Sequence, residues 1–595
     1  MTYTAPLKDM QFVLREIARL DQVSLLPGYE DATDETVDAI LTEAARFASG
    51  VLAPLRRDGD LTGARWADRQ VTAAPGFKDA YWQFVEGGWN ALSCSPEFGG
   101  QGLPKLVLAA VSETWKSANH AFSLCPMLTM GAIEALELVG TPEQKKKFLP
   151  RMVSGVWTGT MNLTEPQAGS DLAAIRTRAV PQADGSYRIF GQKIFITWGD
   201  HDMTENTIHL VLARTPDAPE GVKGISLFVV PKFMVNDDGS LGERNDAWCI
   251  SIEHKLGIHA SPTCVMSYGD NGGATGYLVG RENDGLKYMF IMMNAARFAV
   301  GMEGLAAAES AYQKAVTYAR ERVQSRAIEG SPGSVPIIRH PDVRRMLMTM
   351  KAGIEAMRAL AYSVAAATDH ALQLPPGEAR QQQQAFVDLM IPVVKGWLTE
   401  TGNEIASLGV QVHGGMGYME ETGAAQIFRD ARITTIYEGT TGIQANDLIG
   451  RKLARDGGAA LRGVVSLIAA TQADAGSRGG PNFGSIASHL KTGLAALEQA
   501  AEYVVARYDG DVRTVAVGAV PFLKLMGTVC GGWYMARSAL AAQAHIDAGD
   551  PDPFYAGKIA TARFYAEHFL PLAPALARVI VQGGESALML DEAAF

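Results

Sequence analysis

Tyr187-Arg-Ile-Phe-Gly-Gln-Lys-Ile-Phe-Ile-Thr197 is a dense run of β-branched and aromatic residues in a chain whose flanks are patterned for helices. Shorter runs of the same kind, separated by Asp, Gly and Pro residues, follow at 208–214, 224–231 and 249–253. Runs of this composition that are bounded by turn residues are typical of β-strands. They predict a compact β domain over residues 159–283.

The residues on the N-terminal side of this domain carry a helical pattern. Tyr81, Phe84 and Val85 recur at the spacing of one helix face, and Gly and Pro residues mark the turns between such segments. We predict a helical domain over residues 35–158, preceded by an N-terminal extension over residues 1–34.

Helical periodicity returns on the C-terminal side, in segments at 286–322, 341–373, 379–408 and 441–453. Successive helices of this length predict a helical bundle, which we assign to residues 284–455. A Gly-rich stretch at 476–484 predicts a loop. Residues 456–595 are predicted to form an appended helical domain, so the fold class is α+β.

The composition is that of an ordinary globular protein. Of 595 residues, 47% are hydrophobic and 20% are charged, and the formal net charge is -11. An acidic chain without a concentrated Lys/Arg block gives little support for a nucleic-acid surface. The five cysteines are scattered and form no Cys-Xaa-Xaa-Cys pair, so we predict no metal site, no disulfide framework and a cytoplasmic location.

One apolar stretch, at residues 515–536, has the length of a membrane span. Lys524 in its middle would be costly in a bilayer core, and Pro521 and several Gly residues interrupt the pattern. We predict a buried helix pair there and no transmembrane segment. The N-terminal residues also lack the basic start and apolar run of a signal peptide.

The strongest local signal is Gln411-Val-His-Gly-Gly-Met-Gly-Tyr418, followed by Arg429-Asp-Ala-Arg-Ile-Thr-Thr-Ile-Tyr-Glu-Gly-Thr440. Glu438 lies between the pair Ile436-Tyr437 and the start of a new helix. A carboxylate in apolar surroundings loses hydration, which raises its pKa towards neutrality and suits it to remove a weakly acidic proton. A first-turn acid favoured by the helix dipole is the alternative.

Three further motifs have both a structural and a ligand-binding interpretation. Small residues and hydroxyls at 163–172 let a ligand approach the backbone closely, or simply form an interdomain loop. Phe195 and Thr197 share a strand face by the two-residue period, either as core residues or as the wall and donor for a flat ring. Cations at 320–326 complement a helix dipole or reach phosphate oxygens.

In their order and content these motifs resemble the acyl-CoA dehydrogenase family over about residues 35–453. The resemblance implies an N-terminal helical domain, a central β-barrel-like domain and a helical bundle, here followed by the appended C-terminal domain. It also implies FAD as cofactor and Glu438 as the catalytic base. No Gly-Xaa-Gly-Xaa-Xaa-Gly follows a predicted strand to suggest a Rossmann site instead.

The resemblance also assigns binding residues. The flavin contacts of one subunit fall on Thr164, Ser170, Phe195 and Thr197, and Thr440 matches another FAD contact. The pyrophosphate and adenine contacts to the neighbouring subunit's FAD fall on Arg322, Gln324, Gln411, Gly414 and Gly415. The second set implies a homo-oligomer, either a dimer or a tetramer. Substrate contacts fall on Ser170, Asn294, Arg297, Tyr437 and Gly439.

The extended N-terminus, the segment at 254–264 and the appended C-terminal domain resemble the long bacterial branch of the family that includes 3-methylmercaptopropionyl-CoA dehydrogenase. The resemblance implies α,β-dehydrogenation of an acyl-CoA to the 2-enoyl-CoA, leaning to 3-methylmercaptopropionyl-CoA from dimethylsulfoniopropionate breakdown, with an electron-transfer flavoprotein as acceptor. Alternatives are a broad-range fatty acyl-CoA dehydrogenase of β-oxidation, an acyl-CoA oxidase, an inactive flavin-binding assembly scaffold and a membrane-tethered complex subunit.

Overall fold

The first part of the chain is helical. The structure, a computed structural model, describes residues 3–595, without the side chains of residues 291 and 292. Capping by Thr33 and a capping box at Thr141 begin two of the longer helices. The elements before the main sheet are α1 Leu7–Phe12, α2 Leu20–Val23, α3 Asp34–Phe47, α4 Ala53–Thr62, the hairpin β1 Arg65–Ala67 and β2 Gln70–Thr72, α5 Phe77–Glu86, α6 Lys105–Ala118, α7 His120–Val139 and α8 Pro142–Val153.

A sheet domain follows. Its strands are β3 Trp157–Asn162, β4 Arg178–Pro181, β5 Tyr187–Thr197, β6 Asn206–Ala213, β7 Ser226–Pro231, β8 Phe233–Val235, β9 Leu241–Arg244, β10 Ala247–Ile252, β11 Thr263–Tyr268 and β12 Ala274–Val279. The main sheet has the strand order β10-β11-β5-β12-β7-β6-β3 with β4 beside β5, and β8 pairs with β9 in a separate hairpin. Only β3 and β6 are parallel neighbours among the described pairs.

β5 changes partners along its length. Its first half pairs with β4 and β12, and its second half pairs with β11. Met266 lies opposite Lys193 while Cys264 lies opposite Ile196, so two residues of β5 face one of β11 in a bulge. The bulge re-aims the end of β5, where Phe195 and Thr197 lie.

Three long helices form the core of the bundle. They are α9 Gly285–Glu321, α10 Pro341–Gln373 and α11 Glu378–His413, followed by α12 Ala424–Ala431, α13 Thr441–Asn446 and a π-helical segment, Asp447–Ala454. The predicted bounds of α10 are confirmed, and Pro341 suits its first turn. α11 runs past the predicted residue 408 and ends where Gly414 takes a positive φ of 60°.

The appended domain consists of α14 Ala459–Arg478, α15 Gly480–Arg507, α16 Val512–Val517, α17 Ala519–Asp547, α18 Pro553–His568, α19 Ala573–Gln582 and α20 Gly584–Ala587. The loop predicted at 476–484 is wrong, because α14 and α15 are separated by Gly479 alone. Gly479 has a φ of 67°, and Pro481 fits the first turn of the next helix. Residues 515–536 are helical and largely buried, but instead of the predicted helix pair, residues 519–536 belong to the single helix α17, and only 515–517 belong to α16.

The N-terminal extension packs between the bundle and the appended domain. Asp9 accepts hydrogen bonds from Arg358 of α10 and Lys558 of α18, and Phe12 packs against Phe554. These charges belong to a buried group that we call the Arg358 cluster, which consists of Asp9, Glu113, Glu309, Glu355, Arg358 and Lys558. The cluster joins α1, α6, α9, α10 and α18.

One described helix, α7, is long and apolar enough to cross a membrane. Of its most apolar window, 67% is buried inside the protein. α7 packs against α9 and β3, so its apolar surface contributes to the core that joins the helical and sheet domains.

Candidate active site

Glu438 lies in a strained turn at the start of α13. Its φ is 55°, in the left-handed region that non-glycine residues avoid, and Gly439 follows with a φ of 85°. Gln444 holds this turn, because its Nε2 donates to the carbonyl oxygens of both Glu438 and Gly439 at 3.2 Å. Thr440 caps α13 by accepting a hydrogen bond from the Ile443 amide.

The Glu438 carboxyl is desolvated and lies among other charged groups. Burial raises its pKa above the ordinary value, and Glu303 adds to this effect, whereas the nearby cations Lys395 and Arg297 oppose it. The described residues offer the carboxylate no hydrogen-bond partner and offer the Glu438 amide no acceptor. Both polar groups are therefore free to act on a bound molecule.

A buried polar group lies behind Glu438. Tyr437 donates a hydrogen bond to Glu303, and His120 Nε2 lies 3.2 Å from the same carboxylate. Lys116 Nζ lies 3.5 Å from the other Glu303 oxygen. We call the charged residues around the turn, Arg297, Glu303, Lys395 and Glu438, the Glu438 cluster.

Arg297 is buried, with only 3% of its surface exposed, and its Nη1 donates to Asp447 at 3.0 Å. Asn294, one turn earlier on α9, is exposed. The burial of Arg297 makes it part of the electrostatic surroundings of Glu438. Its predicted contact with the substrate stays a prediction.

The loop at 163–171 is anchored to β5. Lys193 Nζ donates to Glu165 at 2.8 Å and to the Leu163 carbonyl at 3.0 Å. Glu165 also accepts hydrogen bonds from the Arg176 amide and from Thr177. Burial opposes ionisation of Glu165, but Lys193 and these hydrogen bonds lower its pKa to about 2.

This anchor places Thr164 beside the end of β5. The Ile194 amide donates to the Thr164 carbonyl at 2.9 Å, and Phe195 and Thr197 flank the buried Ile196. Phe195 has a φ of 60° and is 58% exposed, so its ring is held away from the core. Ser170 is exposed on the same loop.

The start of α7 joins this region to Glu438. Trp198 Nε1 donates to the Ala121 carbonyl at 3.2 Å, and the preceding His120 lies 3.5 Å from the Tyr437 hydroxyl. The structure therefore brings the end of β5 and the Glu438 turn to the same part of the molecule.

The residues predicted to contact the pyrophosphate and adenine lie away from the Glu438 turn. Tyr318 of α9 stacks on His413 of α11, which brings together the helix ends that carry Arg322, Gln324, Gln411, Gly414 and Gly415. All five are exposed. Along the continuous helix α9, Arg322 lies on the order of 37 Å from Arg297. One chain therefore does not bring the two groups together.

Four family models match successive parts of the chain. They describe an acyl-CoA dehydrogenase N-terminal domain at residues 34–156, a middle domain at 160–270 and a C-terminal domain at 283–453, and an acetyl-CoA dehydrogenase C-terminal-like domain at 464–591. The chain is 51% identical to 3-methylmercaptopropionyl-CoA dehydrogenase of Ruegeria pomeroyi over 99% of both chains. The chain belongs to the acyl-CoA dehydrogenase family.

Two further relatives show how widely the architecture of this acyl-CoA dehydrogenase is shared. A broad-specificity linear acyl-CoA dehydrogenase of Mycobacterium tuberculosis is 37% identical over 100% of both chains. The crystal structure of a Bacillus anthracis acyl-CoA dehydrogenase complexed with FAD has a TM-score of 0.74 at 21% identity, covering 97% of this chain and 93% of that one. The second likeness confirms the fold with its appended domain.

Membership of this family confirms the enzyme class and cofactor predicted from the sequence. The protein is an FAD-dependent oxidoreductase that dehydrogenates acyl-CoA. The individual site residues stay predictions.

Sequence reasoning missed two charged members of the Glu438 cluster of this acyl-CoA dehydrogenase. Lys395 is the only charged residue in Met390-Ile-Pro-Val-Val-Lys-Gly-Trp-Leu398, and Glu303 is alone in Val300-Gly-Met-Glu-Gly-Leu305. A lone charge in an apolar helix pattern is costly to bury and often marks a functional site. That signal could have identified both residues.

Proposed function

We propose that Glu438 is the base of this acyl-CoA dehydrogenase and that its leading substrate is 3-methylmercaptopropionyl-CoA. The observation that carries the first assignment is the desolvated carboxyl without a partner on a strained, anchored turn. The relative with 51% identity over 99% of its length supports the second.

In the proposed reaction, the Glu438 carboxylate removes the α-proton of the thioester. The Glu438 amide, which the described residues leave without an acceptor, donates to the thioester carbonyl as negative charge develops there. Bound FAD supplies the acceptor for the β-hydrogen. The reaction requires the substrate to be held between carboxylate and flavin within near-attack distance.

The residues near the end of β5 fit a flavin. Phe195 is 58% exposed, and Thr164 and Thr197, which carry hydroxyls, belong to the two segments that the Ile194–Thr164 backbone hydrogen bond joins; Ser170 is exposed on the same loop as Thr164. An exposed ring next to several donors suits a flat, hydrogen-bonding heterocycle. Thr440, exposed at the start of α13, is the further contact that we propose.

The second group supports a homo-oligomer. The residues predicted to bind the pyrophosphate and adenine, from Arg322 to Gly415, lie near large apolar side chains in the sequence. The single chain leaves these apolar side chains exposed, namely Val323, Ile328, Met416, Tyr418 and Met419. Exposed apolar surface of this kind is typical of protein interfaces. We propose that this surface covers the adenine half of a neighbouring subunit's FAD, because it lies too far along α9 to serve the same chain's turn.

The base assignment is tested with Glu438→Gln. We expect the purified variant to keep its bound flavin and to lose anaerobic, substrate-dependent flavin bleaching by about 10³-fold or more. Glu421→Gln, which changes an exposed glutamate of the same segment, should bleach like the wild type. Normal bleaching by Glu438→Gln would contradict the assignment.

Substrate preference is tested by measuring kcat/KM for 3-methylmercaptopropionyl-CoA and for a series of straight-chain acyl-CoAs, from short to long chains. We expect the thioether substrate to rank first. The alternative, suggested by the broad-specificity relative, is equal activity over many chain lengths. Equal kcat/KM values across the series would overturn the substrate proposal.

An electron-transfer flavoprotein is the proposed acceptor, because reduced flavin must pass its electrons on. An acyl-CoA oxidase would instead form one peroxide per turnover in air, so peroxide yield separates the two. We also propose a cytoplasmic location, which is supported by five free, buried cysteines in a chain of this length.

A further inference from the structure

Lys395 lies on α11, the helix to which the Glu438 segment is attached. Further along α11, Asn403 Nδ2 donates to the Ala431 carbonyl at 3.0 Å and to the Thr434 hydroxyl at 3.3 Å. Glu400 accepts a hydrogen bond from Thr441 at 2.6 Å. These contacts attach α11 to both ends of the segment that carries Glu438, and Lys395 lies between one and two helical turns before Glu400.

The ammonium of Lys395 is buried without compensation. The residue has 0% of its surface exposed, and its Nζ has no hydrogen-bond partner among the described residues. An ammonium held in this way is costly, because no protein acceptor replaces its hydration shell. Burial lowers the pKa of Lys395 to about 8, and Glu438 is the carboxylate that most opposes this effect.

Other charges surround the pair. From α9 come Glu303 and Arg297, of which Arg297 is engaged by Asp447 and Glu303 by Tyr437, His120 and Lys116. From α11 comes Glu400, which is bound to Thr441. Lys395 and Glu438 are therefore the two charges of the group that lack a partner of their own among the described residues.

We propose that Lys395 is a positioning residue for the base, whose buried ammonium keeps Glu438 ionised and oriented towards the substrate. This inference rests on the proposed role of Glu438. An uncompensated cation stabilises the carboxylate over the carboxylic acid, since the attraction in a poorly hydrated site is strong. The result is a base that is charged before substrate arrives although it is half-buried.

The proposal predicts a change in the pH profile. A base acts when it is deprotonated, so the bleaching rate rises with pH through its pKa. Removing a neighbouring cation raises the pKa of a carboxyl by about one pH unit or more, which moves the rising limb to higher pH by that amount. Well below the midpoint, a pKa that is higher by about one pH unit lowers the ionised fraction about tenfold.

The experiment compares Lys395→Met, which is neutral and similar in length, with Lys395→Arg, which keeps the charge. Anaerobic flavin bleaching by a saturating acyl-CoA is followed across pH for the intact, FAD-loaded protein. We expect Lys395→Met to shift the rising limb upward by about one pH unit or more, and Lys395→Arg to restore it close to the wild type. Lys524→Met, which removes an exposed lysine on α17, should leave the limb unchanged.

A second readout separates this proposal from the base assignment. The Glu438 carboxyl is titrated directly by difference infrared spectroscopy, with Glu438→Gln as the subtraction reference. A raised midpoint in Lys395→Met shows that Lys395 keeps Glu438 ionised whether or not Glu438→Gln still bleaches, so a failure of the base assignment is seen separately from a failure of the effect of Lys395. An unshifted midpoint and an unshifted rate limb would overturn it, and Lys395→Gln replaces Lys395→Met if the latter does not fold.

Discussion

Two groups of largely buried charges, the Arg358 cluster and the Glu438 cluster, share helix α9 and differ in how completely they are paired. In the Arg358 cluster, Arg358 donates to Glu113 at 3.0 Å, to Glu309 at 2.7 Å and to Asp9, and Lys558 donates to Asp9 at 2.6 Å and Glu355 at 2.9 Å. In the Glu438 cluster, Lys395 Nζ and Arg297 Nε have no partner among the described residues.

The degree of pairing distinguishes a cluster with a structural role from one suited to chemistry. A cation whose donors are all bound to carboxylates has one arrangement, which suits a fixed junction between helices. A charge without a partner is destabilising and persists where the surrounding fold holds it in place. The incomplete pairing is therefore an argument for the proposal that the Glu438 cluster, and not the Arg358 cluster, takes part in the reaction.

Breaking the fully paired cluster should have the largest effect on stability. Arg358→Met leaves Glu113 and Glu309 buried without their cation, which we expect to lower the free energy of unfolding by about 3–5 kcal/mol. Chemical denaturation at pH 7 measures the loss. A variant as stable as the wild type would show that the cluster does not secure the junction.

The Glu165–Lys193 pair extends the comparison, because it is fully paired but lies beside the proposed flavin site. Glu165→Gln should lower the free energy of unfolding at pH 7 by about 1–3 kcal/mol and weaken FAD retention. The pKa of Glu165 in the fold, about 2, lies below its ordinary value. Its stabilisation is therefore present above about pH 4.5 and is lost as pH falls towards 2.

Denaturation of wild type and Glu165→Gln at several pH values checks this sign. The difference between the two proteins should shrink as pH falls below about 4.5. A difference that grows in acid would contradict the pairing.

Removing the unpaired cation Lys395 should not destabilise the protein, in contrast to Arg358→Met. Lys395→Met relieves the burial of an uncompensated ammonium, so we expect the free energy of unfolding to stay unchanged or to rise by up to about 2 kcal/mol. Thermal unfolding of the two methionine variants, side by side, measures the contrast. Equal losses in both would remove the distinction between the clusters.

The smallest effect is expected at the exposed edge of the Arg358 cluster. Lys8 pairs with Asp552 one residue before Asp9, and its side chain is 56% exposed. Lys8→Ala should change the free energy of unfolding by about 0.2–1 kcal/mol, and added salt should remove the difference. A loss as large as that of Arg358→Met would contradict the prediction that this exposed ion pair contributes little to stability.

The secondary structure could be predicted from the sequence, and Glu438 proposed as the base, because both signals are local. The composition of β5 and the spacing within α10 predict their own secondary structure, and Glu438 stands in a continuous motif. The surroundings of Glu438 could not be predicted in this way. Tyr437 meets Glu303 across 134 positions, and no periodicity encodes which helices become neighbours. The domain boundaries and binding residues stay predictions.

The attachment of Asp9 to Lys558 has a consequence for biosynthesis. The two residues are 549 positions apart, so translation at about 5–20 residues per second separates them by about half a minute to two minutes. During that interval the segment around Asp9 leaves the ribosome without one of its final partners. The contact between the N-terminal extension and the appended C-terminal domain is consequently among the last to form.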